Sequence, residues 1–84
     1  MKFVRIYWFD TVSLPGWHSP DDYKKFPRGI PCESVGYLMK RNKDALVIAQ
    51  SLCGNEDVGE ILIIPRGTVK SIEILGEVKR VKGD

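Results

Sequence analysis

From Cys32 to Leu75 the sequence is a succession of short apolar runs rich in β-branched residues, and none has the length or period of an ordinary helix. Residues 32–41, CESVGYLMKR, alternate, with Val35, Tyr37 and Met39 on one side. Residues 45–52, ALVIAQSL, place Leu46, Ile48 and Leu52 on one face. Residues 60–64, EILII, and 68–75, TVKSIEIL, read as two further strands. Each run is stopped by turn chemistry. Asn42-Lys43-Asp44 is a short polar tip, and Gly54 to Gly59, with Asn55, Glu56 and Asp57, is a polar loop. Ile64-Pro65-Arg66-Gly67 fits a type I turn, with Pro at its second position and Gly at its fourth. Gly36 suits a bend or bulge inside its strand, and Gly76 ends the last one.

One strand precedes these. Residues 2–9, KFVRIYWF, set Phe3, Arg5, Tyr7 and Phe9 on one face and Val4, Ile6 and Trp8 on the other. Both faces are mostly apolar, which predicts a strand covered on both sides or central to a small closed barrel. Residues 10–31 break the pattern and hold four of the five prolines. Pro15-Gly16 signals a turn. Ser19-Pro20-Asp21-Asp22 reads as a helix start: a capping Ser, Pro in the first turn, and two acids at the positive end of the dipole. Tyr23 and Phe26 are expected to pack inward, with Pro27 closing the helix. So long an irregular loop is uncommon in a compact domain and marks an embellishment or a binding element. The predicted fold class is all-β, a small five-stranded bent barrel with a short helix in its long first loop. Closing the sheet removes edges that a short chain cannot otherwise cover. The expected organisation is one domain over residues 1–76 and a flexible basic tail over 77–84.

Length then limits stability. A single core in 84 residues rarely contributes more than about 3–5 kcal/mol net, so such folds lean on a disulfide, a metal or a partner subunit. Two cysteines and one histidine are too few ligands for the usual zinc site. No basic-flanked apolar run begins the chain, so the expectation is a cytoplasmic protein with Cys32 and Cys53 reduced and buried. No segment approaches the roughly 20 apolar residues of a membrane span. Oligomerisation is left as the extra source of stability. Net charge is +2, divided as +3 over residues 1–42 and −1 over 43–84. That is too mild to announce a nucleic-acid binder by charge alone. Local density is higher at Lys40, Arg41 and Lys43 and at Lys79, Arg80 and Lys82. The simplest reading of these clusters is a solvated hairpin tip and a frayed tail.

Catalytic chemistry finds little support. Cys32 and His18 could form a nucleophile–base pair, but no third orienting group or motif accompanies them. Asp21-Asp22 is explained by the helix start, and residues 54–57 lack the ligands of a calcium loop. There is no glycine-rich phosphate cradle, no Cys-x-x-Cys and no His-Glu-x-x-His, so no cofactor or metal is expected. Binding is better supported. Trp17, Tyr23 and Phe26 interleave with Lys24, Lys25 and Arg28, a set able to stack bases and meet phosphates. The competing reading is that these aromatics anchor the loop to the barrel. Arg66 is either a contact residue or an exposed turn cation.

The run from Ser34 to Leu75 resembles the core of Sm-like (LSm/Hfq-type) small β-barrels. The likeness rests on Gly36 in SVGYLM, the tip Arg41-Asn42-Lys43-Asp44, the strand LVIAQSL, and IIPRGTVKSIEI. It covers about half the chain. Asn42 stands where the family has Asp, Leu46 near its RNA-stacking Asn, and Pro65 in place of the Ile before Arg-Gly. Residues 10–31 have no counterpart in the simple pattern. The resemblance implies a homo-oligomeric ring built by pairing residues 60–64 of one subunit with 70–75 of the next, with Arg66 facing a central pore. With the aromatics above, it implies contacts to RNA or single-stranded nucleic acid at Arg66, Gly67, Lys40, Arg41, Asn42, Trp17 and Tyr23. Two functions are therefore expected: a non-enzymatic, ring-forming Sm-like module, or a structural or protein-interaction barrel, such as a phage or mobile-element accessory protein, with no nucleic-acid role.

Overall fold

The computed structural model describes residues 1–25, 28–54 and 56–79. Five strands form one antiparallel sheet: β1 (Lys2–Asp10), β2 (Ile30–Arg41), β3 (Ala45–Cys53), β4 (Asp57–Pro65) and β5 (Val69–Glu77). The order across the sheet is β4-β3-β2-β1-β5. A four-residue helix, α1 (Pro20–Tyr23), sits in the β1–β2 connection, and a 3-10 turn, Arg66–Thr68, joins β4 to β5.

The all-β class is as expected, but the closed barrel is not. β1 is central, paired with β2 on one side and β5 on the other, whereas β4 and β5 are the sheet's two outer strands. The sheet curls without closing. Its curl is seen in the core, where Val4 and Ile6 of β1, Leu46 and Ile48 of β3, and Ile64 of β4 are fully buried together. Val69 and Ile72 of β5, Leu38 of β2, Leu62 of β4 and Trp8 of β1 pack against them. Outer strands β4 and β5 thus share one core while their backbones do not pair. Burying an aliphatic side chain of this kind contributes about 1.5–3 kcal/mol, which gives the curl its driving force. Trp8 keeps its indole N–H satisfied inside this layer by donating to Ser34 Oγ at 2.9 Å.

Of β1's two apolar faces, only the one bearing Val4 and Ile6 is sealed; Phe3, Arg5, Tyr7 and Phe9 are half-buried. On β2 the core side is the one carrying Ser34, Gly36 and Leu38, since Val4 pairs with Gly36 and Ile6 with Ser34. Val35 and Tyr37 lie opposite, where Tyr37 meets the Phe3 ring edge-on at a centroid distance of 5.2 Å. Gly36 is required by packing: a Cβ there would stand 2.8 Å from the Ala49 carbonyl oxygen and 3.3 Å from the Ile48 Cβ. The register irregularity lies between Leu38 and Lys40, beyond Gly36 itself. β4 starts at Asp57, three residues before the expected Glu60, so Glu60 falls mid-strand with φ +55°. β5 runs one residue past Gly76, and Val78 and Met1 exchange hydrogen bonds of 2.7 and 2.8 Å. Of the expected tail, residues 80–84 lie outside the described residues.

The long connection departs furthest from expectation. Tyr23 does not pack inward: it is exposed, as are Leu14 and the fully exposed Trp17. No residue of α1 is buried. The aromatics that are described do not anchor the loop, while Phe26 and Pro27 lie outside the described residues. The loop is instead held by its own polar contacts. His18 Nε2 donates to the Pro15 carbonyl at 2.8 Å, His18 Nδ1 faces Asp22 Oδ2 at 3.2 Å, and the Ser19 amide donates to the same Asp22 oxygen. The molecule is elongated, 60 × 23 × 19 Å, with a radius of gyration of 16.6 Å; a compact chain of this length would have about 12 Å.

The Gly36 contact generates a paired prediction. Gly36→Ala forces the β2–β3 backbones apart and lowers stability by about 1–3 kcal/mol. Gly59→Ala meets only Ser51 Cβ at 3.7 Å and leaves stability within about 1 kcal/mol of the parent. Chemical denaturation of the two variants checks the contrast.

Candidate functional site

The hairpin tip between β2 and β3 and the turn between β4 and β5 are far apart in sequence and adjacent in space. Register brings them together, because Ala45, the first residue of β3, pairs with Pro65, the last of β4. The Arg66 amide then donates to the Asp44 carbonyl at 2.8 Å. Lys40, Arg41 and Asn42 are exposed at this same end of the sheet, beside Arg66 and Gly67. Five of the seven predicted contact residues are thus gathered at one place. Trp17 and Tyr23 belong to the protruding connection and stand in solvent instead.

Each residue at this end has a local reason for its place. Asn42 shapes the tip: its Oδ1 accepts from the Asp44 amide at 2.8 Å and the Ala45 amide at 2.9 Å. The side chain thereby acts as the turn's scaffold. Pro65 is still extended, at φ −57° and ψ 135°, so the expected type I turn does not form over Ile64–Gly67. The chain turns one residue later, in the 3-10 segment, where the Val69 amide donates to the Arg66 carbonyl and Thr68 Oγ1 donates to the Pro65 carbonyl at 2.8 Å. Pro65 lacks an N–H and can end an outer strand without losing a ladder bond.

Arg66 is not the exposed turn cation of the simpler reading. It is half-buried, and its Nη1 is sealed from solvent with no hydrogen-bond partner among the described residues. A buried donor left unmatched is costly, so a side-chain movement that brings Nη1 to an acceptor is favoured. Gly67 has neither positive φ nor any atom within 4 Å of an added Cβ. Nothing in the fold demands glycine there. Leu46, near the position of the family's stacking Asn, is fully buried in the core and unavailable to a ligand.

The catalytic alternatives gain nothing from the geometry. Both His18 nitrogens are engaged within the loop, and Cys32 Sγ contacts the Ile30 carbonyl at 3.5 Å. The cysteines are not buried as expected: Cys32 is partly exposed and Cys53 exposed, and no disulfide joins them. Among the described residues no three His, Cys, Asp or Glu side chains cluster as metal ligands. Among the described residues no helix is long and apolar enough to cross a membrane.

Sequence reasoning singled out Arg28 among the loop cations but missed Phe9 and Lys70 and the cleft that joins the three. Phe9, Arg28 and Lys70 line a cleft together with Gly67 and Thr68. The Arg28 guanidinium lies over the Phe9 ring, 5.9 Å from its centroid. Phe9 and Arg28 belong to the two ends of the long connection, and only strand pairing sets them beside the turn.

The scaffold role of Asn42 is directly testable. Asn42→Ala removes both side-chain bonds at the tip and costs about 1–2 kcal/mol. Asn42→Asp keeps an acceptor oxygen and retains most of that stability. Thermal unfolding of the two variants distinguishes them.

No protein-family model matches this chain, and neither the curated proteins nor the solved structures yield a match.

Proposed function

We propose that the protein is a non-enzymatic, Sm-like module that assembles with copies of itself into a ring and binds RNA or single-stranded nucleic acid at the end of the sheet bearing Arg66. The observation that carries the assembly is the state of the two outer strands. Ile61 and Ile63 of β4 are 52% and 64% exposed, and Ile74 and Leu75 of β5 are 54% and 40% exposed. Uncovered apolar outer strands aggregate unless a defined partner pairs with them. A β4 edge of one copy against a β5 edge of the next satisfies both, and repeating a head-to-tail contact closes a ring when the rotation permits. Glu60, at φ +55°, interrupts regular strand geometry in mid-β4. It favours pairing over the Ile61–Ile64 half, in agreement with the segment the sequence pointed to.

The nucleic-acid part rests on Arg66. The part of the Arg66 guanidinium that faces solvent, the nearby exposed Lys40 and Arg41, and the sterically free Gly67 offer a phosphate or base edge both charge and close approach. The fully exposed Trp17 on the protruding connection favours a second reading, a protein-interaction barrel with no nucleic-acid role.

Two measurements decide. In solution the parent chain has the mass of an oligomer, and Ile63→Lys, which places a charge on the free edge, reduces it to that of one folded chain. A parent that stays monomeric at micromolar concentration removes the ring. Labelled oligo-U or oligo-A binds at low salt and weakens as salt rises. Arg66→Ala lowers that affinity by about tenfold or more, and Gly67→Ala lowers it while leaving stability unchanged. No binding at low salt leaves the protein-interaction reading standing.

A further inference from the structure

The cleft beside the turn has a chemistry of its own. It measures about 740 Å³, within the usual range for a small-molecule site. One wall is the neck of the long connection, with Phe9, Asp10, Val12 and Arg28; the other is the start of β5, from Gly67 to Lys70. The neck is held tight by Gly29. Its φ of +92° suits glycine, and a Cβ there would collide with the Asp10 carbonyl. That close approach fixes Arg28 above the Phe9 ring. The one carboxylate of the cleft, Asp10, is turned to its own loop, where Oδ1 accepts from the Thr11 amide at 2.8 Å. Two cations therefore stand against one engaged acid, around an aromatic floor.

A ligand matching these walls has a flat face and a negative charge. The Arg28 guanidinium, backed by the Phe9 ring, is a surface on which a base stacks, and Lys70 supplies the countercharge for a phosphate. An acidic peptide would use the cations and leave the aromatic floor unmatched. We propose that this neck cleft is a nucleotide subsite, with the base on the Arg28 guanidinium that Phe9 supports and the phosphate at Lys70. Gly67 borders both the cleft and the Arg66 site, so one single strand can run from one to the other. Only that continuity rests on the nucleic-acid reading above; occupation of the cleft by a mononucleotide does not.

The test is an amide NMR titration of the full chain with AMP and UMP, with inorganic phosphate and a hexaglutamate peptide as parallel arms. Saturable shifts are expected at Val12, Gly29 and Thr68–Lys70 with either nucleotide. Arg28→Ala and Lys70→Ala should each weaken them about fivefold or more. Phe9→Leu, with its spectrum otherwise preserved, should bring nucleotide affinity down to that of inorganic phosphate. The proposal is overturned by no cleft shifts at millimolar nucleotide, by equal shifts with hexaglutamate, or by shifts confined to Arg66 and the hairpin tip. If mononucleotides fill the cleft while oligonucleotides ignore Arg66→Ala, the cleft stands and the Arg66 reading fails. If oligonucleotide binding responds to Arg66→Ala but not to Lys70→Ala, the cleft alone fails.

Discussion

Ile64 of β4 shares its buried environment with Val4 and Ile6 of β1, although β3 and β2 lie between the two strands. That shared core is what bends five strands into a curl, and it can form only because β2 and β3 approach closely at Gly36, where the Ala49 carbonyl leaves no room for a side chain. The curl stops short of closure. β4 and β5 contribute to one core from opposite ends of the sheet, yet each keeps a backbone edge and exposed apolar side chains. A domain this short has little further core to recruit. The unused edges are therefore both its liability and its most specific surface.

The same curl and register assemble the candidate site. Pairing Ala45 with Pro65 places the Asn42 tip against the Arg66 turn, and the Asp44–Arg66 backbone hydrogen bond ties them. Pairing β1 with both β2 and β5 brings the neck of the long connection to the other side of that turn. The 3-10 segment is thus the junction of two surfaces, one carrying Arg41 and Asn42, the other Arg28 and Lys70. Each surface joins segments that are distant in sequence, so each depends on the sheet being formed.

The long connection behaves differently from the sheet. Its polar ties, from His18 to Pro15 and Asp22, are local. They give the segment shape without attaching it to the core, and Trp17 remains uncovered. The expected anchoring of aromatics failed because apolar composition identifies side chains that gain from burial, not whether a surface lies within reach. β1 and β2 carry the segment beyond the sheet, where Trp17 and Tyr23 stand exposed.

Local chemistry in the sequence determined where the strands lie and where they stop. Period-2 alternation in ALVIAQSL selected the core face of β3, and Asn42-Lys43-Asp44 and Pro65-Arg66-Gly67 marked two of the breaks. Ser19-Pro20-Asp21-Asp22 could be recognised as a helix start because it depends on neighbours in the chain, whereas Gly36, read as a bend or bulge, is required by the Ala49 carbonyl of the adjacent strand. Only the tertiary structure decided that the sheet stays open, that Arg66 is half-buried with an unmatched donor, and that Phe9, Arg28 and Lys70 line one cleft. Those outcomes depend on the curl of a whole sheet and on residues tens of positions apart, and no local preference encodes either.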